Sequence, residues 1–277
     1  MTDYFEIHGR DGAARLGELR LSDPLTTPAL VDDSIDDGGS LWTGERDVPK
    51  GYREILTVLP HRAFPAGTDE RVQETFAVDY PDVDYPSAAV VTAETAADYG
   101  SDAYVLSDAQ GFVGHAAAFR EEIIAAREAL PADTALYLSG VATPRNAATL
   151  VYAGVDLLDA KRARVRGLEG FYLTSEGEYF LEDLEELPCT CPACQGKRLD
   201  IDPDAADTNA ARAAAFDRED CADHNEYALE SELATIRRRI RDGRLRDYVE
   251  GQARHDQWLT AAFREFDQQY EYLEERT

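Results

Sequence analysis

Apolar and polar residues alternate near the start of the chain, and that rhythm predicts strands. Ala14-Arg15-Leu16-Gly17-Glu18-Leu19-Arg20-Leu21 fits short extended segments, with a turn at Gly9–Gly12 and a stop at Pro24. Residues 32–50 are acidic, Gly-containing and patternless, as a loop is. Ile55-Leu56-Thr57-Val58-Leu59 reads as a short buried strand closed by Pro60, and residues 61–85 as a further loop.

From Ala88 the rhythm becomes regular. Ala88–Val91 reads as a strand, Ala93–Tyr99 as a short helix and Ala103–Ser107 as a strand. Gly114–Leu130 follows as a longer helix with Ala118, Ile123, Ala126 and Leu130 on its apolar face. Ala135–Ser139 is the next strand, Pro144 opens a helix through Tyr152, and Val155–Leu158 is strand again. Such alternation places strands in parallel with crossover helices between them. These units close into a β/α barrel or open into a doubly wound sheet, and no GxGxxG or Walker loop favours the second. With fewer than eight clear strands, the expected fold is α/β, a trimmed β/α (TIM-like) barrel over residues 1–187.

Beyond Asp223 the periodicity is helical. Asp223 is placed to cap a helix over 224–241 that ends at Gly243. Further helices cover Leu245–Ala253 and Asp256–Arg276. The last carries Trp258, Leu259, Ala262, Phe263, Phe266, Tyr270 and Leu273 on one face, a stripe for core or partner packing.

Charge changes the picture more than composition does. Asp and Glu number 55 against 28 Lys and Arg, a formal net charge of −27, and lysine is confined to Lys50, Lys161 and Lys197. That balance predicts a salt-adapted surface of the haloarchaeal kind and argues against broad nucleic-acid affinity, while leaving room for local basic patches. No run of apolar residues is long enough to span a membrane, and MTDYFEIHGRDG has no signal-peptide profile, so the cytoplasm is the expected address.

Cysteine placement is the sharpest chemical signal. Cys189, Cys191 and Cys194 lie within six residues, and His224 follows about thirty residues later. Three thiolates and an imidazole make a complete tetrahedral set for a structural zinc ion, with Cys221 as a rival fourth ligand. A zinc-binding module over 188–245 and a helical extension over 246–277 are therefore expected. Asp159 and Asp108 each follow a predicted strand, where parallel β/α folds keep their functional residues. Either carboxylate can serve as nucleophile or as general acid or base, and either can merely cap the turn. Lys161, Arg162, Arg164 and Arg166 form one basic cluster; Arg237, Arg238, Arg239, Arg241, Arg244 and Arg246 form another. Both fit phosphate-backbone contacts, and the second also fits a solvated helix face. His8, His61, His115 and His255 have no partner at ligand spacing; His115, which opens a helix shortly after Asp108, is the least idle of them.

Several of these stretches together resemble one family. They are Tyr137-Leu138-Ser139-Gly140-Val141-Ala142-Thr143-Pro144, Gly154-Val155-Asp156-Leu157-Leu158-Asp159, Gly170-Phe171-Tyr172-Leu173-Thr174 and the CxCxxC run with its distant histidine. Over roughly residues 135–245 they resemble the tRNA-guanine transglycosylases, and FEIHGRDGAARLGELRL is similar, more weakly, to the start of archaeal members. The resemblance implies Asp159 as the catalytic nucleophile and Cys189, Cys191, Cys194 and His224 as zinc ligands.

The departures carry information too. The family's DSGGFQ segment, which supplies a second aspartate, is missing, and Asp37-Gly38-Gly39-Ser40 is only an echo of it. Its GGLAVGE base-binding segment is also missing, and Ala163-Arg164-Val165 replaces the PTR after the nucleophile. This combination most resembles the divergent archaeosine synthase α branch, whose members amidate the nitrile of 7-cyano-7-deazaguanine already installed at position 15 of tRNA. The branch implies tRNA as substrate, lysine or glutamine as amine donor, and Asp159 or Asp108 as proton carrier. Longer members continue into further catalytic and RNA-binding parts. The sequence resembles only their N-terminal half, which makes a radical-SAM or C-terminal-half protein one option as partner and a dimer another. The alternatives are base exchange through Asp159 and a non-catalytic zinc-containing tRNA-binding module that docks a catalytic partner.

Overall fold

The computed structural model describes residues 4–31, 35–37, 54–59, 69, 71–72, 83–199, 214–254 and 256–274. At the start, β1 (Phe5–Asp11), β2 (Ala14–Leu19) and β3 (Leu25–Thr27) form an antiparallel sheet in that order. The predicted turn is there, tightened to Gly12–Ala13, with a register shift between Ile7 and Gly9.

The main sheet contains β4 (Ala29–Leu30), β5 (Ile35–Asp37), β6 (Leu56–Val58), β7 (Ser87–Val91), β8 (Ala103–Leu106), β9 (Ala135–Leu138) and β10 (Leu157–Leu158). Its order is β4-β10-β9-β8-β7-β6-β5, and every pairing is parallel. The chain itself requires this sheet to curl. Leu30 and Ile35 sit on opposite edges, yet the five residue steps between them span at most about 18 Å. Six inter-strand spacings laid flat would separate those edges by about 29 Å. The result is a curled half-barrel, the trimmed β/α barrel that the strand count predicts. β5 falls in the stretch read as a loop: three residues are too few to show a period.

The crossovers are a 3₁₀ turn (Ala96–Asp98), α1 (Ala109–Phe112), α2 (Ala116–Ala129) and α3 (Ala147–Tyr152). The helix expected over Ala93–Tyr99 is thus only the 3₁₀ turn. After β10 come α4 (Lys161–Leu168) and the hairpin β11 (Phe171–Leu173) with β12 (Glu178–Phe180). The short parallel pair β13 (Lys197–Arg198) and β14 (Ala214–Ala215) precedes α5 (Arg218–Arg241), α6 (Leu245–Ala253), α7 (Gln257–Asp267) and α8 (Tyr270–Glu274).

α5 begins earlier than Asp223 predicts. Its cap is Asp217, whose carboxylate accepts from Asp220 N at 2.9 Å while Asp220 accepts from Asp217 N at 3.1 Å, a capping box. Asp223 lies one turn inside the helix, exposed. Asp256 caps α7 by accepting from Leu259 N at 3.0 Å. The last predicted helix is broken after Asp267, which leaves Tyr270 68% exposed and out of the stripe. Leu259, Ala262, Phe263 and Phe266 are buried, and Phe266 meets Phe119 of α2 edge-on at 5.3 Å. The stripe is core packing. No helix among the described residues is long and apolar enough to cross a membrane. His61, His255 and Arg276 lie outside the described residues, as do most of residues 32–50 and 61–85.

Candidate active site and metal centre

Asp159 is the first residue after β10, at the carboxyl end of the parallel sheet, and it is 3% exposed. Its Oδ2 accepts from Tyr137 Oη at 2.8 Å and Ser139 Oγ at 2.7 Å. Gly140 N donates to Oδ1 at 3.1 Å and to Oδ2 at 2.9 Å, and Lys161 N donates to Oδ1 at 3.1 Å. Four donors from β9, the loop after it and the start of α4 hold the carboxylate in one orientation. The Lys161 ammonium stands 3.9 Å away on a side chain that is 57% exposed, too far and too wet for a strong pair. Gly140 is needed for this geometry. Its φ is +73°, and a Cβ there would lie 2.5 Å from Gln110 Nε2.

A cavity of about 800 Å³ opens beside this carboxylate, lined by Gln110, Ser139, Gly140, Asn146, Lys161 and Arg162 among others. Asn146 shapes its wall by accepting from Thr143 N at 2.8 Å and donating to Val141 O at 2.9 Å. Asp108 is exposed, at the start of α1 with a left-handed φ of 54°, and is not among the lining residues. Gln110, two residues on, is, and nothing in the sequence singled it out. His115 caps α2 in position only, with no side-chain hydrogen bond to the helix.

Three residues before Asp159 the same run places a second buried acid. Asp156, 0% exposed, accepts from Arg15 Nε at 2.9 Å and from Leu136 N at 2.8 Å, and its Oδ2 is paired with the Arg15 guanidinium. Arg15 also donates to Ala132 O at 2.8 Å and Thr134 O at 2.9 Å.

The metal-ligand residues come together. Donor atoms of Cys189, Cys191, Cys194 and His224 all lie within 4.8 Å of one another, so the group could hold a metal ion. His224 Nε2 is 3.0 Å from Leu173 O, and a carbonyl only accepts, so the ring proton sits there. Nδ1 is left with its lone pair facing Cys191 Sγ and Cys194 Sγ, each at 3.5 Å. This is the backbone support that metal-bound histidines commonly have. Tyr172 stacks on the imidazole at 3.7 Å and 11°. Burial pushes the Cys194 thiol up to about 12 and pulls His224 down to about 4. The apolar pocket thus keeps the imidazole neutral, as a ligand must be, and leaves the thiols to be ionised by a bound cation. Cys221, the rival ligand, lies outside the cluster and donates to Phe171 O at 3.4 Å.

α5 is held in register for this purpose. A Cβ on Gly167 would come within 2.4 Å of Ala222 Cα, so α4 and α5 touch backbone to backbone. Asn225, 0% exposed, accepts from Leu173 N at 2.8 Å and donates to Ala163 O and Phe171 O at 2.9 Å. It stitches α4, β11 and α5 beside His224, a role with no local sequence signal.

The predicted cations divide. Lys161 and Arg162 are exposed at the cavity. Arg164 is held by Asp223 at 2.8 Å and Glu226 at 2.5 Å, and Arg166 by Glu178 at 2.5 Å and Glu169 at 2.6 Å while covering the Phe171 ring. Arg237 donates to Pro28 O at 2.6 Å. Arg238 and Arg241 are exposed on α5.

The queuine tRNA-ribosyltransferase family pattern matches residues 85–257. Over its whole length the chain is 68% identical to an archaeosine synthase of Haloferax volcanii, covering 45% of that protein. It is also 35% identical over its whole length to an archaeosine synthase subunit alpha of Methanosarcina acetivorans, covering 47% of it. A tRNA-guanine(15) transglycosylase of Haloferax volcanii is 35% identical over 48% of the chain and 25% of its own length. The chain thus spans about half the length of the two archaeosine synthase relatives.

Proposed function

Because the chain belongs to the queuine tRNA-ribosyltransferase family, we propose that it acts on tRNA in archaeosine formation, amidating the nitrile of 7-cyano-7-deazaguanine at position 15. The observation that carries this reading is the 68% identity to an archaeosine synthase across the full chain. The cavity beside Asp159 is where the modified base would enter, with Lys161 and Arg162 at its rim. An amine nitrogen, from lysine or glutamine, adds to the nitrile carbon. One proton passes from that nitrogen to the nitrile nitrogen, and an amidine results with no change of oxidation state. Asp159 is the carboxylate nearest to carry the proton. Asp108, exposed and away from the lining, is the weaker choice.

Base exchange is the second reading, favoured by the same carboxylate. There Asp159 would attack C1′ of the ribose and expel guanine. The ion in the Cys₃His cluster would be zinc: three sulfurs and one nitrogen fill a tetrahedron and leave no open position, so its role is structural. Cys191→Ala is expected to lose bound metal, measured by elemental analysis, and to loosen α5. Full metal content in that variant sinks the assignment.

The deciding experiment incubates the chain in molar salt with tRNA bearing 7-cyano-7-deazaguanine and labelled lysine or glutamine, and in parallel with unmodified tRNA and labelled guanine. Amino-acid label in tRNA, lost in Asp159→Asn, is the expected result. Guanine label instead would establish base exchange. Silence in both arms with tRNA still bound would make the chain a binding module that needs a catalytic partner supplying the other half.

A further inference from the structure

A cavity of about 790 Å³ is lined by Arg145, Arg239, Arg244, Ser175, Tyr179 and Tyr248, and neither reaction above uses it. Its carboxylates are Glu176 and Asp247, Asp247 already lies 3.9 Å from Arg246, and Arg145 is shared with Asp256 at 3.5 Å. Three guanidiniums against two lining carboxylates still give this concavity a local excess of positive charge, in a chain whose formal charge is −27. Arg239 lies with its Cζ 5.1 Å from the Tyr248 ring, and its buried Nε has no hydrogen-bond partner among the described residues. Arg244 is exposed and forms no side-chain pair among them.

The position matters as much as the charge. Arg145 stands between Thr143 and Asn146, which line the cavity beside Asp159. Ser175 and Tyr179 also line the cavity beside the metal ligands. The arginine pocket therefore shares a wall with the cavity at the metal ligands and is joined to the one beside Asp159 through consecutive residues of the chain. In molar salt the screening length falls to about 3 Å, so diffuse basic faces hold little RNA and only groups at contact distance count. Guanidiniums that can bind an oxyanion bidentately are the groups that still work there.

We propose that this pocket takes a backbone phosphate of the RNA strand whose target nucleotide enters beside Asp159, with Tyr179 offering its 45% exposed ring to an unpaired neighbouring base. This rests on the reading of tRNA as substrate. The test measures tRNA binding to the full chain by fluorescence anisotropy across a range of potassium chloride, for the wild type and Arg244→Ala, with melting curves to confirm folding. The variant is expected to bind about tenfold more weakly, and its slope of log affinity against log salt to fall by about one. Unchanged affinity and slope overturn the proposal alone. Failure of the wild type to bind tRNA overturns it together with the substrate reading. Inorganic phosphate, titrated in parallel, separates the sources. If it raises the wild-type melting temperature but not the variant's, while both bind tRNA equally, the pocket serves a free phosphate compound and the RNA assignment falls.

Discussion

Asp156 and Asp159 flank one short strand, are almost equally buried and face opposite fates. At the amino end of β10, Asp156 meets the Arg15 guanidinium on both oxygens, and Arg15 donates to two carbonyls besides. Charge and hydrogen bonds close within that unit. At the carboxyl end, Asp159 receives only neutral donors, and its nearest cation is an exposed lysine at 3.9 Å. A cavity opens beside it. One carboxylate is spent on joining β2 to the sheet; the other is held by uncharged donors at the edge of a cavity. In a β/α barrel that is the usual division between the stabilising face and the reactive face.

The contrast is broken most forcefully through Arg15. Arg15→Ala leaves the Asp156 carboxylate buried without its cation, which is expected to destabilise the fold by about 3–5 kcal/mol. Urea unfolding at fixed salt measures it, and a loss under about 1 kcal/mol would mean that Asp156 is no more tied down than Asp159. Asp159→Asn keeps the side chain's size but turns an NH₂ toward donors. Its expected cost is about 1–2 kcal/mol, alongside loss of label transfer to tRNA. If Asp159→Asn costs as much stability as Arg15→Ala, Asp159 is a structural residue too, and the assignment of chemistry to it loses its basis.

How much of this was readable beforehand follows from how local each feature is. The thiol cluster and Asp159 were legible, because their meaning lies in a few residues of spacing and in the end of a strand; Asp156 read only as part of that strand. The partner that separates the two aspartates was not: Arg15 is 141 residues away in sequence, inside an alternating stretch that gives no hint of burial. The same holds for Asn225, whose contacts reach 52 to 62 residues back. Asp217 was passed over as a cap because the apolar rhythm of α5 is plain only later in the helix, although Asp217 and Asp220 have capping-box spacing. The trimmed barrel was legible from strand–helix alternation. That β4 and β5 take its opposite edges was not, since β5 lies in a stretch without a readable period.

A third buried acid tests whether neutral donors alone define the reactive class. Glu232 of α5 is 6% exposed and accepts from Tyr248 Oη at 2.8 and 3.0 Å and from Gln252 Nε2 at 3.0 Å. Burial raises its carboxyl pKa more than these bonds and the field of Arg239 lower it. The folded state therefore holds the Glu232 proton more tightly than the unfolded chain does. Its contribution to stability is complete below the unfolded carboxyl range, near 4.5, and is lost as pH rises through the folded value. Glu232→Gln removes the charge and keeps the shape. At neutral pH it should match or exceed the wild type by up to about 1 kcal/mol, with the gap closing as pH falls below about 4.5. Melting curves at pH 7 and pH 4 decide it. If the wild type is instead the more stable at pH 7 and loses that margin in acid, Arg239 binds Glu232 as Arg15 binds Asp156. Arg239 would then be committed within the fold, and the phosphate pocket would have to work through Arg145 and Arg244.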